Sequence, residues 1–189
     1  MSAAALAVVL AGGRSARMGS PKAMAPLLGE PLIARPLAAA RAAGLEVVVV
    51  AKAGSPVPED AEVWLEPDTP AHPLTGLVAA LERAGGRAVV ALACDMPFVA
   101  PELLAALAAL DAPAAAGRVD GRLEPFPGRY GAGVLGVLRS ALAREAPLRE
   151  ALAALDPLEV DLAAFGEPAR LVRSVNTPAE LAAAERELA

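Results

Sequence analysis

The sequence is poor in cysteine and in aromatic residues, and it carries a net negative charge. Its one cysteine, Cys94, excludes an intramolecular disulfide and is typical of a reducing compartment, so we expect a cytoplasmic protein. Aromatic residues make up 3% of the chain, too few for the stacking surfaces that bind single-stranded nucleic acid. The net charge of −5 also argues against nucleic-acid binding, so an anionic substrate must be attracted by a local group of cations.

Long hydrophobic runs are also absent. None approaches the roughly 18 residues of a membrane-spanning helix, and we therefore expect no membrane partner. The apolar segment 3–13 lacks the basic segment that precedes it in a signal peptide, and a strand explains it better. Hydrophobic residues nevertheless make up 56% of the 189 residues, enough to fill a core. We expect residues 1–189 to form a single domain.

Short apolar runs alternate with helical patterns along the chain. This alternation predicts an α/β fold with a doubly wound, mostly parallel sheet and helices on both faces. Strands are predicted over residues 5–11, 46–51, 62–65, 87–93, 113–118 and 171–175, with an extended segment over 122–127. Helices are predicted over residues 32–43, 75–84, 101–110, 133–144, 148–155 and 178–188, the last capped by Thr177. Ligands of such sheets bind beyond the carboxyl ends of the strands.

The first predicted strand leads into a segment of glycines and cations. Gly12 and Gly13 allow the backbone to approach a ligand without Cβ atoms in the way. The cations that follow are Arg14, Arg17 and Lys22. Exposed amides and cations after a strand predict a polyphosphate site. The segment has neither the Gly-Lys-Ser/Thr of a Walker A loop nor the Gly-x-Gly-x-x-Gly of a dinucleotide site.

Asp95 follows another apolar strand, at the same predicted edge of the sheet. A carboxylate there is suited to Mg²⁺, which takes one or two protein oxygens and completes its shell with phosphates and water. The alternative interpretation is a cap for the next helix. Cys94 is interpreted as a small buried residue, because no histidine lies near it in the sequence to activate a thiolate.

The glycine-rich segment reads LAGGRSARMGSPK over residues 10–22. It resembles the signature L-A-G-G-x-S-x-R-M-G-x-x-K of nucleotidyltransferases, and above all of the molybdenum cofactor guanylyltransferases. CDMP at residues 94–97 resembles the C-D-x-P of the same family, in which the aspartate holds the metal. The resemblance implies a Rossmann-like nucleotidyltransferase fold and the following nucleotide-binding residues: Leu10, Ala11, Gly12, Gly13, Arg14, Lys22, Asp68, Leu74, Gly76 and Asp95.

Other matches to this family carry departures. Asp68 resembles the aspartate that contacts the guanosine, by its spacing before HPLTG, which itself resembles G-P-L-A-G-I. VNTP at residues 175–178 resembles the family's N-x-N-T-P, so Asn176, the one asparagine of the chain, is implied as a second metal ligand. A capping role for Asn176 is the alternative. The family's asparagine after the second strand is replaced by Ala51 and Lys52. Lys52 is interpreted as a solvated loop residue, with compensation for that asparagine as the alternative, and the lone His72 is interpreted as solvated rather than catalytic.

PFPGRY at residues 125–130 resembles the P-L-x-A-x-Y segment on the pterin-facing side of the family. Phe126 or Tyr130 is a candidate for stacking on a pterin, and Arg122 or Arg129 for its phosphate. Burial of the aromatic rings in the core is the equal alternative.

The resemblance implies transfer of GMP from GTP to the terminal phosphate of molybdopterin, with release of pyrophosphate and with Mg²⁺ as cofactor. It implies catalytic roles for Arg17, Lys22 and Asp95, and transient contact with molybdoenzyme maturation proteins is also expected. Alternatives are a nucleotidyltransferase that uses CTP or a sugar or alcohol phosphate, and a non-catalytic nucleotide-binding subunit. LAGG rather than LAAG at residues 10–13 favours guanine, because the extra glycine leaves room for the larger base.

Overall fold

The computed structural model describes residues 4–13 and 21–189. Its strands are β1 (Leu6–Leu10), β2 (Pro26–Leu27), β3 (Glu30–Pro31), β4 (Glu46–Ala51), β5 (Val63–Leu65), β6 (Val89–Ala93), β7 (Ala114–Val119), β8 (Arg122–Tyr130) and β9 (Leu158–Val160). Its α-helices are α1 (Ala34–Ala42), α2 (Pro73–Arg83), α3 (Pro101–Ala109), α4 (Leu135–Ala143), α5 (Leu148–Ala153), α6 (Pro168–Leu171) and α7 (Pro178–Leu188).

The described strands form a seven-stranded sheet in the order β5-β4-β1-β6-β8-β7-β9, and β2 pairs with β3 separately. Strands β5, β4, β1 and β6 run parallel, β8 is antiparallel to both its neighbours, and β9 is parallel to β7. Valine-rich runs form the central strands because β-branched side chains suit a sheet that is buried on both faces. The predicted mostly parallel sheet is confirmed.

Alternate residues of β1 enter two different cores. Leu6 and Val8 pack in a cluster that contains the apolar residues of α2 and α4. Ala7 and Val9 belong to the cluster on the opposite face, with residues of α1 and α3. Because successive side chains of a strand point to opposite faces, this division places helices on both sides of the sheet, as predicted.

Two helix starts bear on the site. The Thr177 hydroxyl accepts a hydrogen bond from the Glu180 N–H at 3.2 Å, and the Glu180 carboxylate accepts one from the Thr177 N–H at 3.0 Å. This reciprocal cap confirms Thr177 as the start of α7. At the start of α2, His72 Nδ1 accepts a hydrogen bond from the Leu74 N–H at 3.2 Å. His72 therefore caps α2 from a partly exposed position, and the prediction that it is solvated rather than catalytic stays a prediction.

The predicted strand over residues 171–175 is wrong. The short helix α6 occupies its start, because the Glu167 carboxylate caps the N–H groups of Ala169 and Arg170 and Pro168 is suited to the first helical turn. Val175 then donates its N–H to the Asp95 carbonyl at 2.9 Å. This bond fixes the segment that precedes α7 against the end of β6. The sequence analysis also missed β9.

Within residues 4–13 and 21–189, none of the helices combines the length and the apolar character needed to cross a bilayer.

Candidate active site

A cavity of about 410 Å³ opens at the carboxyl ends of β1, β4, β5 and β6. This is the edge at which doubly wound sheets bind ligands, and the volume lies in the range of small-molecule sites. The described residues that line it are Leu10, Ala11, Gly12, Gly13, Lys22, Ala23, Lys52, Glu66, Ala71, His72, Pro73, Gly76, Ala93, Cys94, Asp95 and Phe126.

The glycine segment continues the plane of the sheet. The Ala11 N–H donates to the Val50 carbonyl at 2.8 Å, and the Leu10 carbonyl accepts from the Cys94 N–H at 3.1 Å. These bonds fix the chain on both sides up to the point where Gly12 and Gly13 line the cavity. The geometry allows the close backbone approach that the sequence predicts there.

Gly12 and Gly76 also make room for a side chain of the protein itself. A Cβ atom on either glycine would overlap the carboxylate of Glu66, which follows β5. The two glycines therefore form a notch that holds this carboxylate at the cavity wall. Sequence reasoning missed Glu66. The available signal was its place directly after a strand, the same place that singled out Asp95 at the end of β6.

Glu66 is half-buried, and burial raises the pKa of its carboxyl above the ordinary value. The charge of Lys52 opposes this rise in pKa, whereas the charge of Asp68 reinforces it. Lys52 lines the cavity, and its Nζ donates to the Asp68 carbonyl at 2.5 Å. This position fits the alternative, in which Lys52 compensates for the missing asparagine, better than the interpretation as a solvated loop lysine. The cation and the carboxylate lie on the same wall of the cavity.

A second polar group lies at the end of β6. The Lys22 ammonium forms an ion pair with the Asp95 carboxylate and donates a hydrogen bond to Asn176 Oδ1 at 2.6 Å. Asn176 reaches this position because its own N–H is held by Glu180 at 2.6 Å and the neighbouring Val175 is bonded to the Asp95 carbonyl. Residues far apart in the sequence therefore meet at the glycine segment.

Asp95 Oδ1 is buried and has no hydrogen-bond partner among the residues that the structure describes. A buried carboxylate oxygen without a partner is costly, so this position is suited to a cation that the oxygen could coordinate. The carboxylate of Asp95 and the amide oxygen of Asn176 are hard oxygen donors. No group of three or more histidine, cysteine or acidic side chains gathers in ranges 4–13 and 21–189.

Cys94 is buried, and burial, reinforced by the charge of Asp95, raises the pKa of its thiol to about 12. A thiol in this environment does not supply a thiolate near neutral pH. This confirms the interpretation of Cys94 as a small buried residue.

The structure brings most of the predicted site residues together. Those that line the cavity are Leu10, Ala11, Gly12, Gly13, Lys22, Gly76 and Asp95. Leu74 is fully buried in the core and so lies behind the wall, and Asn176 joins the site through Lys22. Arg14 and Arg17 lie outside the described residues, and their proposed roles stay predictions.

Asp68 is exposed and does not line the cavity. Two residues separate its carboxylate from the end of β5, and its carbonyl is the group that the Lys52 side chain holds. The described acid on this wall is Glu66. Glu66 is therefore the acid found on this wall of the cavity, and the contact of Asp68 with the guanosine stays a prediction.

Two candidates for the acceptor side are also corrected. Tyr130 is fully buried, and its hydroxyl donates to the Pro125 carbonyl at 2.8 Å. Arg129 is buried beneath α3, where its guanidinium donates to the carbonyls of Ala112 and Ala108, each at 3.0 Å. Neither side chain is available to a substrate. Phe126 lines the cavity, whereas Arg122 is exposed at the start of β8.

A family model described as a MobA-like NTP transferase domain matches residues 7–159, which include the glycine segment, Glu66 and Asp95. The chain belongs to the MobA-like NTP transferase family. Membership makes it a nucleotidyltransferase and confirms the resemblance noted in the sequence.

Relatives within the family agree. The chain is 36% identical over 179 residues to the molybdenum cofactor guanylyltransferase of Pseudomonas putida, an alignment that covers 87% of this chain and 94% of that protein. It is 39% identical over 109 residues to the molybdenum cofactor guanylyltransferase of Rhodobacter capsulatus, over 54% of this chain and only 56% of that protein. Its fold superimposes with a TM-score of 0.79 on molybdopterin-guanine dinucleotide biosynthesis protein A of Archaeoglobus fulgidus, at 26% identity over 96% and 97% of the two chains.

Proposed function

We propose that this nucleotidyltransferase transfers GMP from GTP to the terminal phosphate of molybdopterin and releases pyrophosphate. One observation carries the proposal: the cavity holds Lys22 and Asp95 beside the glycine segment, with Glu66 on its wall. The glycine segment with Lys22 and Asp95 suits a polyphosphate. The Glu66 carboxylate suits a base that presents hydrogen-bond donors. The names of the relatives from Pseudomonas putida and Rhodobacter capsulatus support the same reaction.

The reaction needs no strong general base. A phosphomonoester has a second pKa near about 6, so the attacking phosphate oxygen of the acceptor is already ionised at neutral pH. This oxygen forms a bond to the α-phosphorus of GTP. The bond from that phosphorus to the bridging oxygen of the β-phosphate breaks, and its electron pair leaves with pyrophosphate. The task of the protein is to position two anions and to stabilise their charge.

Lys22 is suited to neutralise charge on the phosphates, together with the amides of Gly12 and Gly13. Asp95 and Asn176 are the residues that would hold Mg²⁺, since both bring a side-chain oxygen to the Lys22 ammonium and Asp95 Oδ1 has no partner among the described residues. An ion held by these residues would supply Lewis-acid polarisation of the phosphoryl oxygens. The roles of Arg14 and Arg17 in the same charge stabilisation remain part of the proposal.

Glu66 is suited to select guanine. The N1–H and the 2-amino group of guanine are adjacent donors, and a carboxylate accepts both. Cytosine offers an acceptor beside its amino group, so it lacks the paired donors. We therefore assign the base contact to Glu66. The cytoplasm is the proposed location, since the buried Cys94 needs no oxidising compartment.

The decisive experiment is product analysis with purified protein, molybdopterin, Mg²⁺ and each nucleoside triphosphate in turn. We expect the guanine dinucleotide and pyrophosphate from GTP alone. Asp95→Asn should lower the rate by roughly 10²–10³-fold, the loss typical of one electrostatic contact in a transition state. Asp60→Asn is the matched control, because Asp60 is exposed and pairs with Arg41 on the surface.

Equal use of CTP would assign the chain to the cytidylyl alternative. Binding of GTP without pyrophosphate release would indicate a nucleotide-binding subunit instead. An unchanged rate for Asp95→Asn would remove this carboxylate from the chemistry.

A further inference from the structure

A second cavity of about 360 Å³ adjoins the first. Ala93 and Phe126 line both cavities, so the Phe126 side chain lies on their common boundary. The described residues around the second cavity include Met96, Glu124, Pro125, Phe126, Pro147 and Arg149. A molecule seated there has one end close to the polar group around Asp95, which directly precedes Met96 in the chain.

Most of the residues that line the second cavity are apolar. Met96 is almost fully buried, and Pro125, Pro147 and the ring of Phe126 contribute further wall. Proline and aromatic rings offer flat surfaces that lose little conformational entropy when a ligand packs against them. The cavity therefore suits a flat, fused ring.

Two charged side chains also line this cavity. Arg149 Nη2 lies 2.9 Å from both carboxylate oxygens of Glu124, and Arg149 Nε donates to the Leu123 carbonyl at 3.1 Å. The Glu124 side chain is only 18% exposed, against 42% for Glu82 in the comparable surface pair Arg139–Glu82. The Glu124 carboxylate is thus partly withdrawn from water beside a fixed guanidinium.

This pair has the chemistry to read one edge of a ring. A carboxylate accepts hydrogen bonds from adjacent N–H groups, and a guanidinium donates to a carbonyl oxygen. A 2-amino-4-oxopyrimidine edge presents an amino group, a ring N–H and a carbonyl oxygen in a row. Both guanine and a pterin carry that edge. Each cavity pairs a carboxylate with a cation, Glu66 with Lys52 in the first and Glu124 with Arg149 in the second.

We propose that Glu124 and Arg149 recognise the 2-amino-4-oxopyrimidine edge of a pterin acceptor in the second cavity. The inference rests on the proposed function, which supplies the pterin class and assigns the first cavity to GTP. The acceptor's phosphate then faces the boundary at Phe126, on the side of Asp95. The two carboxylates therefore bind different substrates: Glu66 contacts the base of the donor, and Glu124 contacts the ring of the acceptor.

The test compares two small probes, 6-hydroxymethylpterin and the matching lumazine, which carries a 2-oxo group in place of the 2-amino group. Dissociation constants are measured by fluorescence on the purified full chain, with GTP binding followed by calorimetry. Wild type should prefer the pterin. Glu124→Gln should weaken pterin binding roughly tenfold or more and abolish the preference, because an amide cannot accept from two adjacent donors. Arg149→Lys should weaken both probes, since both retain the 4-oxo group and lysine lacks the planar fork.

Glu124→Gln should leave the GTP affinity unchanged, whereas Glu66→Gln should weaken GTP and spare the pterin. Glu82→Gln is the matched control and should change neither, because Glu82 pairs with Arg139 outside both cavities.

Wild-type pterin affinity and preference in Glu124→Gln would overturn the inference, and so would a wild type that fails to discriminate the probes. If that variant lost GTP binding instead, the second cavity would be the nucleotide site, and the inference would again be overturned. Failure of the wild type to use GTP at all would instead contradict the proposed function, so the two failures are distinguishable.

Discussion

Gly76→Ala separates the effect of a glycine on folding from its effect on the site. Gly76 lies in the interior of α2, where alanine is favoured over glycine by about 0.5–1 kcal/mol. The added Cβ, however, would overlap the Glu66 carboxylate and approach Leu10 Cδ2 to 3.3 Å. Glu66 is the end of a flexible, half-buried side chain, and it can swing into solvent at little cost.

We therefore expect the free energy of unfolding of Gly76→Ala to stay at the wild-type value or to rise by up to about 1 kcal/mol. GTP binding should behave differently. With Glu66 displaced, the hydrogen bonds from guanine to a charged acceptor are lost, typically about 1.5–3 kcal/mol, or roughly 10- to 150-fold in affinity.

Urea unfolding and GTP calorimetry on the same preparations measure the two effects. Gly136→Ala in α4 is the matched control, because a Cβ there meets open space, and it should leave GTP binding unchanged. In a Glu66→Ala background, Gly76→Ala should cost no further affinity, since its target is already gone. Wild-type GTP affinity in Gly76→Ala would refute the claim that the notch between Gly12 and Gly76 positions Glu66. An equal loss of GTP affinity in the wild-type and Glu66→Ala backgrounds would refute it as well.

Three other substitutions test single contacts. Lys22→Ala should slow guanylyl transfer by roughly 10²–10³-fold in a pyrophosphate-release assay. Arg41→Ala, on the surface, is the control and should keep the wild-type rate. A wild-type rate in Lys22→Ala would exclude Lys22 from the site. Burial raises the pKa of Glu66, so the folded chain holds the carboxyl proton more tightly than the unfolded chain does. The stability that the protonated Glu66 contributes is therefore lost as the pH rises from 4.5 through the folded-state pKa. Glu66→Gln should remove this loss, and urea unfolding across that window would show the two curves diverging; parallel curves would contradict the shift. Arg129→Met should lower the unfolding free energy by about 1–3 kcal/mol, because buried carbonyls lose their donor. The affinities for GTP and pterin should stay unchanged. A selective loss of pterin binding would instead place Arg129 in the acceptor site.

Much of the fold follows from local patterns in the chain. The valine run of β4 and the apolar run of β6 were predicted as buried strands, and the sheet confirms both. The cap at Thr177 was also read correctly. These features depend on neighbours within a few residues, which the sequence displays directly.

The predictions from the sequence failed where contacts between distant parts of the chain decide the local structure. The apolar stretch before α7 suggested a strand, but the Glu167 cap and the bond from Val175 to Asp95 favour a short helix and a loop. Arg129 and Tyr130 are candidates for substrate contact in the sequence, but Arg129 is buried beneath α3 and Tyr130 in the core on the opposite face of the sheet. Local pattern does not reveal which side of a strand another element covers.

The sequence by itself determined the alternation of strands and helices, the glycine segment and Asp95 as the acid that ends β6. Only the tertiary structure decided that Glu66, not Asp68, lies in the wall, and that Asn176 meets Lys22 across most of the chain. The physical reason is that the periodicity of a strand depends only on residues that are close together in the sequence. The notch for a carboxylate, by contrast, exists only where two glycines from separate elements, Gly12 and Gly76, are brought together.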